Sequence, residues 1–188
     1  MVQTVCTKEL LKDNKLYDFA VFMKELGVDE MRMIQPLPCG KLDSDTSQLL
    51  TSEEERKLID FHIQCNHNRK LPKASVFSYF ESNEQFGCGA AVQHSYIDSE
   101  GNLYPCDFVP LSYGNVFENP IDILWQRMHE SIGKPRGHCF SKVELNNVIK
   151  SKNNVECYPL KAKDLCIDCK CINPVLPAFY RILKGEKV

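Results

Sequence analysis

The stretch from Cys88 to Cys106 has a cysteine at each end and the pattern of a β-hairpin between them. A β-prone run at residues 95–97 is followed by a polar turn containing Gly101, and glycine readily takes the positive φ that such turns need. Two antiparallel strands would bring the two thiols to one end of the ladder. Because two thiols alone do not hold a metal ion, the pattern requires further ligands from elsewhere in the chain.

The chain has ten cysteines, and three of them cluster near its carboxyl end as Cys166, Cys169 and Cys171. No charged segment followed by an apolar run opens the sequence, so we expect a cytoplasmic, reducing environment in which thiols serve metals rather than disulfides. An iron–sulfur cubane needs four converging thiolates, and zinc needs four tetrahedral ligands. The Cys166-x-x-Cys169 pair suits either centre, Cys139 is a further candidate, and spacing alone does not distinguish the two metals.

The composition limits the classes of partner. Hydrophobic residues make up 43% of the chain and charged residues 26%, as in ordinary folded proteins. The formal net charge of -2 implies no basic face for nucleic acid. No apolar run approaches the length that spans a bilayer. We therefore expect neither a nucleic-acid partner nor a membrane partner.

The amino-terminal half predicts strands and helices in alternation. Strands are expected at residues 2–6, 31–34 and 74–80, with helices over residues 7–26 and from Thr51 or Ser52 onward. Elements in this order build a parallel sheet, as in part of a β/α barrel. The helical period fades after Ser82. We therefore predict an α/β fold in which residues 1–83 form the C-terminal units of a partial β/α barrel and residues 84–188 form a small α+β cysteine-rich lobe with a β-hairpin.

The region from Cys88 to Met128 resembles the C-terminal SPASM or twitch extension of radical S-adenosylmethionine (radical SAM) proteins. The shared features are a first cysteine, a strand, Gly-x4-Cys, Gly-Asn-Val and a helix of the Ile-x-x-x-Trp type, at Cys88, Gly101–Cys106, Gly114–Val116 and Ile121–Trp125. The preceding half is similar to the last β/α units of that family's partial barrel. The resemblance implies an auxiliary [4Fe–4S] cluster for electron relay or substrate anchoring, with Cys139 and Cys171 as substitutes in a ligand set of Cys88, Cys106, Cys166 and Cys169.

The sequence departs from the family pattern in two places. A full SPASM pattern has Cys-x2-Cys-x5-Cys-x3-Cys and binds two clusters, whereas Cys166-x2-Cys169-x-Cys171 favours one. The Cys-x3-Cys-x2-Cys motif that holds the SAM-cleaving cluster does not occur in the sequence. The resemblance thus implies a C-terminal fragment of a radical SAM oxidoreductase or maturase, inactive without the missing N-terminal barrel half. S-adenosylmethionine would bind only in the intact parent, whose substrate could be a peptide or a small molecule.

Two other functions compete with this interpretation. A zinc-stabilised cysteine-rich interaction module without catalytic activity would hold about one zinc ion per chain. A self-contained electron-transfer protein is disfavoured because the strand at residues 2–6 would leave an unpaired sheet edge. Among single residues, His94 and His138 are interpreted as loop histidines rather than ligands. Arg32 would face either the cofactor cavity of the parent barrel or a covering helix. For Asp107, a carboxylate that caps the end of a strand and a hydrogen-bonding group near the cluster are equally consistent with the sequence.

Overall fold

The computed structural model describes residues 1–42, 46–145, 159–164 and 176–187. The chain divides into two compact units, Met1–Phe80 and Glu81–Val188. In the described ranges the strands form three small sheets accompanied by six α-helices, and no sheet closes into a barrel. None of these helices combines the length and the apolar character needed to cross a membrane. The fold is therefore mixed α/β, and the assignment of residues 1–83 to a partial barrel stays a prediction.

The first unit is built on a parallel sheet whose three strands lie side by side in chain order. The strands are β1 (Val2–Val5), β2 (Glu30–Ile34) and β3 (Lys73–Val76). Gln3 pairs with Arg32 and Arg32 with Ser75, so these residues share one face of the sheet. Met31 and Met33 are fully buried and, because side chains alternate along a strand, lie on the opposite face. Arg32 therefore lies on the face of the sheet opposite the helix-covered core. The sequence alone did not decide between these two faces.

Two helices cover the buried face of this sheet. They are α1 (Lys15–Glu25) and α2 (Ser52–His67). α2 begins at Ser52, one of the two predicted starts, and Thr51 and Glu54 form a capping box there. The apolar sides of the helices and the sheet form one core cluster, which includes Ala20, Met23, Met31, Met33, Leu58, Phe61, Ala74 and Val76.

The structure differs from the sequence prediction at the ends of two elements. Residues 7–13 form turns rather than the first turns of α1, because Asp13 takes a φ of 53°, which a right-handed helix does not accommodate. β3 ends at Val76, and Phe77–Phe80 form a short helix, α3, where the sequence predicted strand. The spacing of apolar residues in so short a run is compatible with both a strand and a helical turn, so it does not distinguish one from the other.

The second unit contains two small sheets. β4 (Tyr96–Ile97) and β5 (Leu103–Tyr104) pair antiparallel in the predicted hairpin. β6 (Leu111–Ser112) pairs parallel with β7 (Leu160–Lys161), a contact that the sequence did not indicate. The hairpin turn is held by Asp98, whose carboxylate accepts hydrogen bonds from the backbone N–H groups of Glu100 and Asn102, both at 2.9 Å.

Three helices complete this unit in the described ranges. They are α4 (Ile121–Ile132), α5 (Phe140–Val143) and α6 (Ala178–Leu183). α4 contains the predicted Ile121–Trp125 helix and buries the side that carries Leu124, Met128 and Ile132. The core of the unit combines this helix with the sheets and with Cys88, and its members include Leu103, Leu111, Leu124, Met128, Ile132 and Phe140.

Candidate metal centre

Cys88 and Cys139 form a hydrogen-bonded pair of thiols inside the second unit. Cys88 is 5% exposed and belongs to the apolar core of this unit. A hydrogen bond from the Cys139 thiol lowers the pKa of Cys88, and the same bond raises the pKa of Cys139. The backbone N–H groups of Phe140 and Ala90 lower the pKa of Cys88 further, although burial acts in the opposite direction. Cys88 thus lies in an environment that stabilises a buried thiolate, the form that binds metals.

Backbone contacts bring these two cysteines together. The N–H of Cys88 donates a 2.8 Å hydrogen bond to the carbonyl oxygen of Arg136, three residues before Cys139. Cys139 is the N-cap of α5, so the first turn of that helix presents the N–H of Phe140 to the Cys88 sulfur. The contact therefore depends on a short helix and a loop that meet the start of the hairpin segment.

Cys106 lies two residues after β5, the return strand of the hairpin, and packs against the same core as Cys88. The N–H of Phe108 donates to its sulfur at 3.3 Å. Ala91 N–H donates to the carbonyl of Pro105 at 3.1 Å, which ties the segment after Cys88 to the residue before Cys106. Burial raises the pKa of Cys106, and the negative charge of Cys88 raises it further. The hydrogen bond between Ala91 and Pro105 thus holds the segments that carry the two cysteines together.

Part of the predicted ligand set lies outside the described residues, namely Cys166, Cys169 and Cys171. Their roles stay predictions. Within the described ranges, no three histidine, cysteine, aspartate or glutamate side chains are arranged to hold a metal ion by themselves. A site for a single ion would therefore need at least two ligands from outside these ranges, whereas each iron of a cubane takes its own thiolate, so three described thiols would need one more cysteine from outside.

The buried cysteines of the first unit provide an internal contrast. Cys6 and Cys65 are both fully buried in its core. Burial raises the pKa of Cys6 to about 12 and that of Cys65 to about 11. These thiols behave as small apolar side chains. Burial alone therefore does not explain the environment of Cys88.

Arg136 is a residue of this site that sequence reasoning missed. Its side chain is fully buried, and its Nη2 donates a 2.6 Å hydrogen bond to the carbonyl of Ile132. The guanidinium carbon lies 5.0 Å from the centroid of the Phe140 ring. Its positive charge also lowers the pKa of Cys88. The only signal in the sequence is the nearness of Arg136 to Cys139, and nothing in the local pattern indicates that an arginine there is buried.

Glu144 joins Arg136 to one of the two histidines considered as ligands. Its Oε1 lies 2.9 Å from Nε of Arg136 and 2.7 Å from Nε2 of His138. His138 therefore engages a carboxylate, while His94 is an exposed residue of the segment before β4. Asp107 contacts the neighbouring thiol, since the Cys106 sulfur lies 3.5 Å from its Oδ1.

Described residues of the second unit line a smaller and a larger cavity. A cavity of about 290 Å³ touches Cys106 and Asp107 and has aromatic and proline walls formed by Tyr96, Tyr104, Pro110 and Pro159. A larger one of about 650 Å³ is lined by polar and charged residues that include Arg127, Glu130, Lys161 and Lys163. None of the described cysteines lines the larger cavity, so the smaller one is the better candidate for access to the thiols.

Comparison with protein families identifies the region that contains these thiols. Residues 88–170 match the model of the SPASM family, an iron–sulfur cluster-binding domain. The matched region begins at Cys88, includes Cys106, Cys139, Cys166 and Cys169, and ends one residue before Cys171. No radical SAM domain was detected in the chain. Comparisons with curated proteins and with solved structures found no significant match. The match supports an iron–sulfur cluster-binding role for this unit.

Proposed function

We propose that the second unit binds one auxiliary [4Fe–4S] cluster and acts as the auxiliary-cluster domain of a radical SAM enzyme. The proposed ligands are three thiols from the described residues and one from the distal cysteines, namely Cys88, Cys106 and Cys139 together with Cys166 or Cys169. Cys139, which the sequence ranked as a substitute, is included because it contacts Cys88. When bound, such a cluster supplies one-electron chemistry or a coordination position for substrate.

The environment of Cys88 is the observation that carries this proposal. A hydrogen bond from Cys139, two backbone N–H groups and the charge of Arg136 all favour the thiolate at a nearly inaccessible position. A buried anion is costly unless hydrogen bonds or an opposite charge compensate it. Arg136 Nη1 is buried and has no hydrogen-bond partner among the described residues. A sulfur-rich anion beside Cys88 would supply the missing acceptor.

Two features of the first unit support the radical SAM parent. Its three parallel strands lie side by side in chain order, an arrangement compatible with consecutive units of a β/α barrel. Gln35, which follows β2, and Ser78, which lies just beyond β3, each bury a side-chain oxygen without a hydrogen-bond partner in the described part. The carboxyl ends of parallel strands are where such barrels bind their ligands. We propose that further β/α units complete this sheet in the parent enzyme.

The cavity beside Cys106 supports a role in contact with a substrate or a redox partner. Cys106, one of the proposed ligands, lines this cavity together with aromatic and proline side chains. The carboxylates of Asp98 and Asp107 also line it. A peptide or a small molecule could approach the cluster from this side.

Anaerobic reconstitution of the full chain with ferrous iron and sulfide tests the proposal. We expect about four iron and four sulfide ions per chain and the Mössbauer spectrum of a cubane. Cys88→Ser, Cys106→Ser and Cys139→Ser should each lose most of the cluster. Cys65→Ala is the matched control, since it removes a buried thiol whose pKa is raised, and it should retain the cluster.

Other outcomes of this experiment separate the alternatives. A colourless protein with about one zinc ion and no cubane spectrum would favour the zinc-stabilised interaction module. Full cluster retention in Cys139→Ser, with loss in Cys166→Ser and Cys169→Ser, would restore the ligand set implied by the sequence. For the parent enzyme, the test is the reading frame upstream of the Met1 codon, where an in-frame Cys-x3-Cys-x2-Cys motif is expected.

A further inference from the structure

Arg136 is a buried cation whose hydrogen bonding is incomplete. Its side chain is 0% exposed, and Nη2 is satisfied by the carbonyl of Ile132. Nε forms an ion pair with Glu144 at 2.9 Å. Nη1 is also buried, yet it has no hydrogen-bond partner in the part of the chain that the structure describes. Leaving a buried charged donor unsatisfied costs free energy, so the arrangement calls for an acceptor that the described residues do not provide.

The guanidinium lies beside the thiol pair of the candidate metal centre. The main chain of Arg136 is hydrogen-bonded to Cys88, and its side chain stacks on Phe140, the residue directly after Cys139. The N–H of Phe140 in turn points to the Cys88 sulfur. Arg136 is thus fixed on both sides by the elements that carry the two thiols.

We propose that Arg136 is the internal counter-cation of the cluster, donating a hydrogen bond from Nη1 to a cluster or cysteine sulfur and thereby raising the cluster's reduction potential. The inference rests on the proposed function, because it assumes that a cluster is bound at Cys88. Reduction adds one electron and hence one negative charge to the cluster. A fixed positive charge and an N–H donor stabilise the reduced state more than the oxidised one.

Glu144 moderates this effect. Its carboxylate contacts both Arg136 and His138, so it partly neutralises the guanidinium from the side of α5. Removal of the carboxylate charge should therefore act on the potential in the direction opposite to removal of the arginine charge. If Arg136 only held the loop in place through Ile132 and Glu144, removing the two charges would not shift the reduction potential in opposite directions.

The test is a potentiometric titration of the reconstituted full chain with dithionite, followed by EPR of the reduced cluster. For Arg136→Gln, we expect the ratio of reduced to oxidised cluster at a given potential to fall at least tenfold. For a one-electron couple this is a lower midpoint by about 59 mV. Arg136→Lys keeps the charge and should stay closer to the wild type, while Glu144→Gln should raise the midpoint.

Arg181→Gln is the matched control, because Arg181 pairs with Glu186 in a partly exposed position of the same unit. It should leave the midpoint unchanged. Equal midpoints in wild type, Arg136→Gln and Glu144→Gln would overturn the inference while leaving the proposed function in place. If Arg136→Gln does not fold, an unchanged midpoint in Glu144→Gln would by itself overturn the inference. A wild-type chain that holds no cluster would instead overturn the proposed function and the inference with it.

Discussion

Gly87 approaches the carbonyl oxygen of Arg136 so closely that a Cβ at position 87 would lie 2.3 Å from that oxygen. Gly87 also has a φ of 73°, which side chains other than hydrogen rarely tolerate. Because Cys88 follows directly, this contact sets the position of the buried thiol.

We predict that Gly87→Ala destabilises the protein by at least about 2 kcal/mol, through backbone strain combined with the clash. Urea unfolding of the metal-free protein measures the loss. Gly185→Ala is the control, since Gly185 has a similar φ of 80° but nothing within 4 Å of an added Cβ. It should cost about 1 kcal/mol, from the backbone conformation alone. Equal losses in the two variants would contradict the role assigned to the contact.

The apolar face of α4 provides a second prediction. Leu124 is fully buried in the core that holds Cys88, whereas the neighbouring Ile123 is 46% exposed. Leu124→Ala should cost about 2–5 kcal/mol, because it removes buried methyl groups and leaves a cavity. Ile123→Ala should cost about 0.5 kcal/mol or less. Thermal unfolding followed by circular dichroism compares them, and a similar fall in both variants would refute the burial argument.

The capping box of α2 provides a third prediction. Thr51 Oγ1 accepts the N–H of Glu54, and the Glu54 carboxylate accepts the N–H of Thr51 at 2.8 Å. Thr51→Ala should cost about 1 kcal/mol, since it removes the side-chain acceptor at the helix start. Ser52→Ala changes an exposed residue one position later and should be close to neutral. A denaturant titration that finds no difference between the two would show that the cap contributes nothing to stability.

The hairpin turn provides a prediction about pH. The Tyr104 hydroxyl donates to Asp98 at 2.7 Å, and this bond, with those from Asn102 and Glu100, lowers the pKa of Asp98 to about 2. Because the folded-state pKa lies below the ordinary value, the unfolded chain binds the proton first. The stability contributed by Asp98 is therefore complete above a pH of about 4 and is lost as the pH falls towards 2.

Asp98→Asn should remove this dependence. The difference in unfolding free energy between wild type and Asp98→Asn is expected to be larger at pH 6 than at pH 2.5, as measured by urea unfolding of the metal-free protein at both values. Asp122→Asn makes the same chemical change in the exposed first turn of α4 and serves as the control. A difference for Asp98→Asn that stays constant with pH would show that the carboxylate charge does not stabilise the turn.

Local patterns predicted several elements of the second unit. The polar turn with Gly101 after a β-prone run predicted the pairing of β4 with β5, and the Ile-x-x-x-Trp pattern at Ile121–Trp125 predicted α4. These features depend on residues close together in sequence. The parallel pairing of β6 with β7 was not predicted, because two-residue strands distant in sequence carry no periodic signal of their own.

In the first unit, the order of strands and helices followed from their alternation, whereas two element ends did not. The positive φ of Asp13 and the helical turn at Phe77–Phe80 are the two features that the sequence did not predict there. Tertiary packing can override the local conformational preference of such segments, and a short stretch of sequence does not contain that information.

The sequence by itself determined the chemistry that is available: ten cysteines, a hairpin bounded by two of them, and a region whose pattern matches an iron–sulfur cluster-binding domain. Only the tertiary structure decided that Cys139 contacts Cys88, that Arg136 is buried beside them, and that Cys6 and Cys65 are inert core thiols. The physical reason is that a thiolate is stabilised by the donors, charges and solvent exclusion around it. In this unit those groups come from segments distant in sequence, and only packing brings them together.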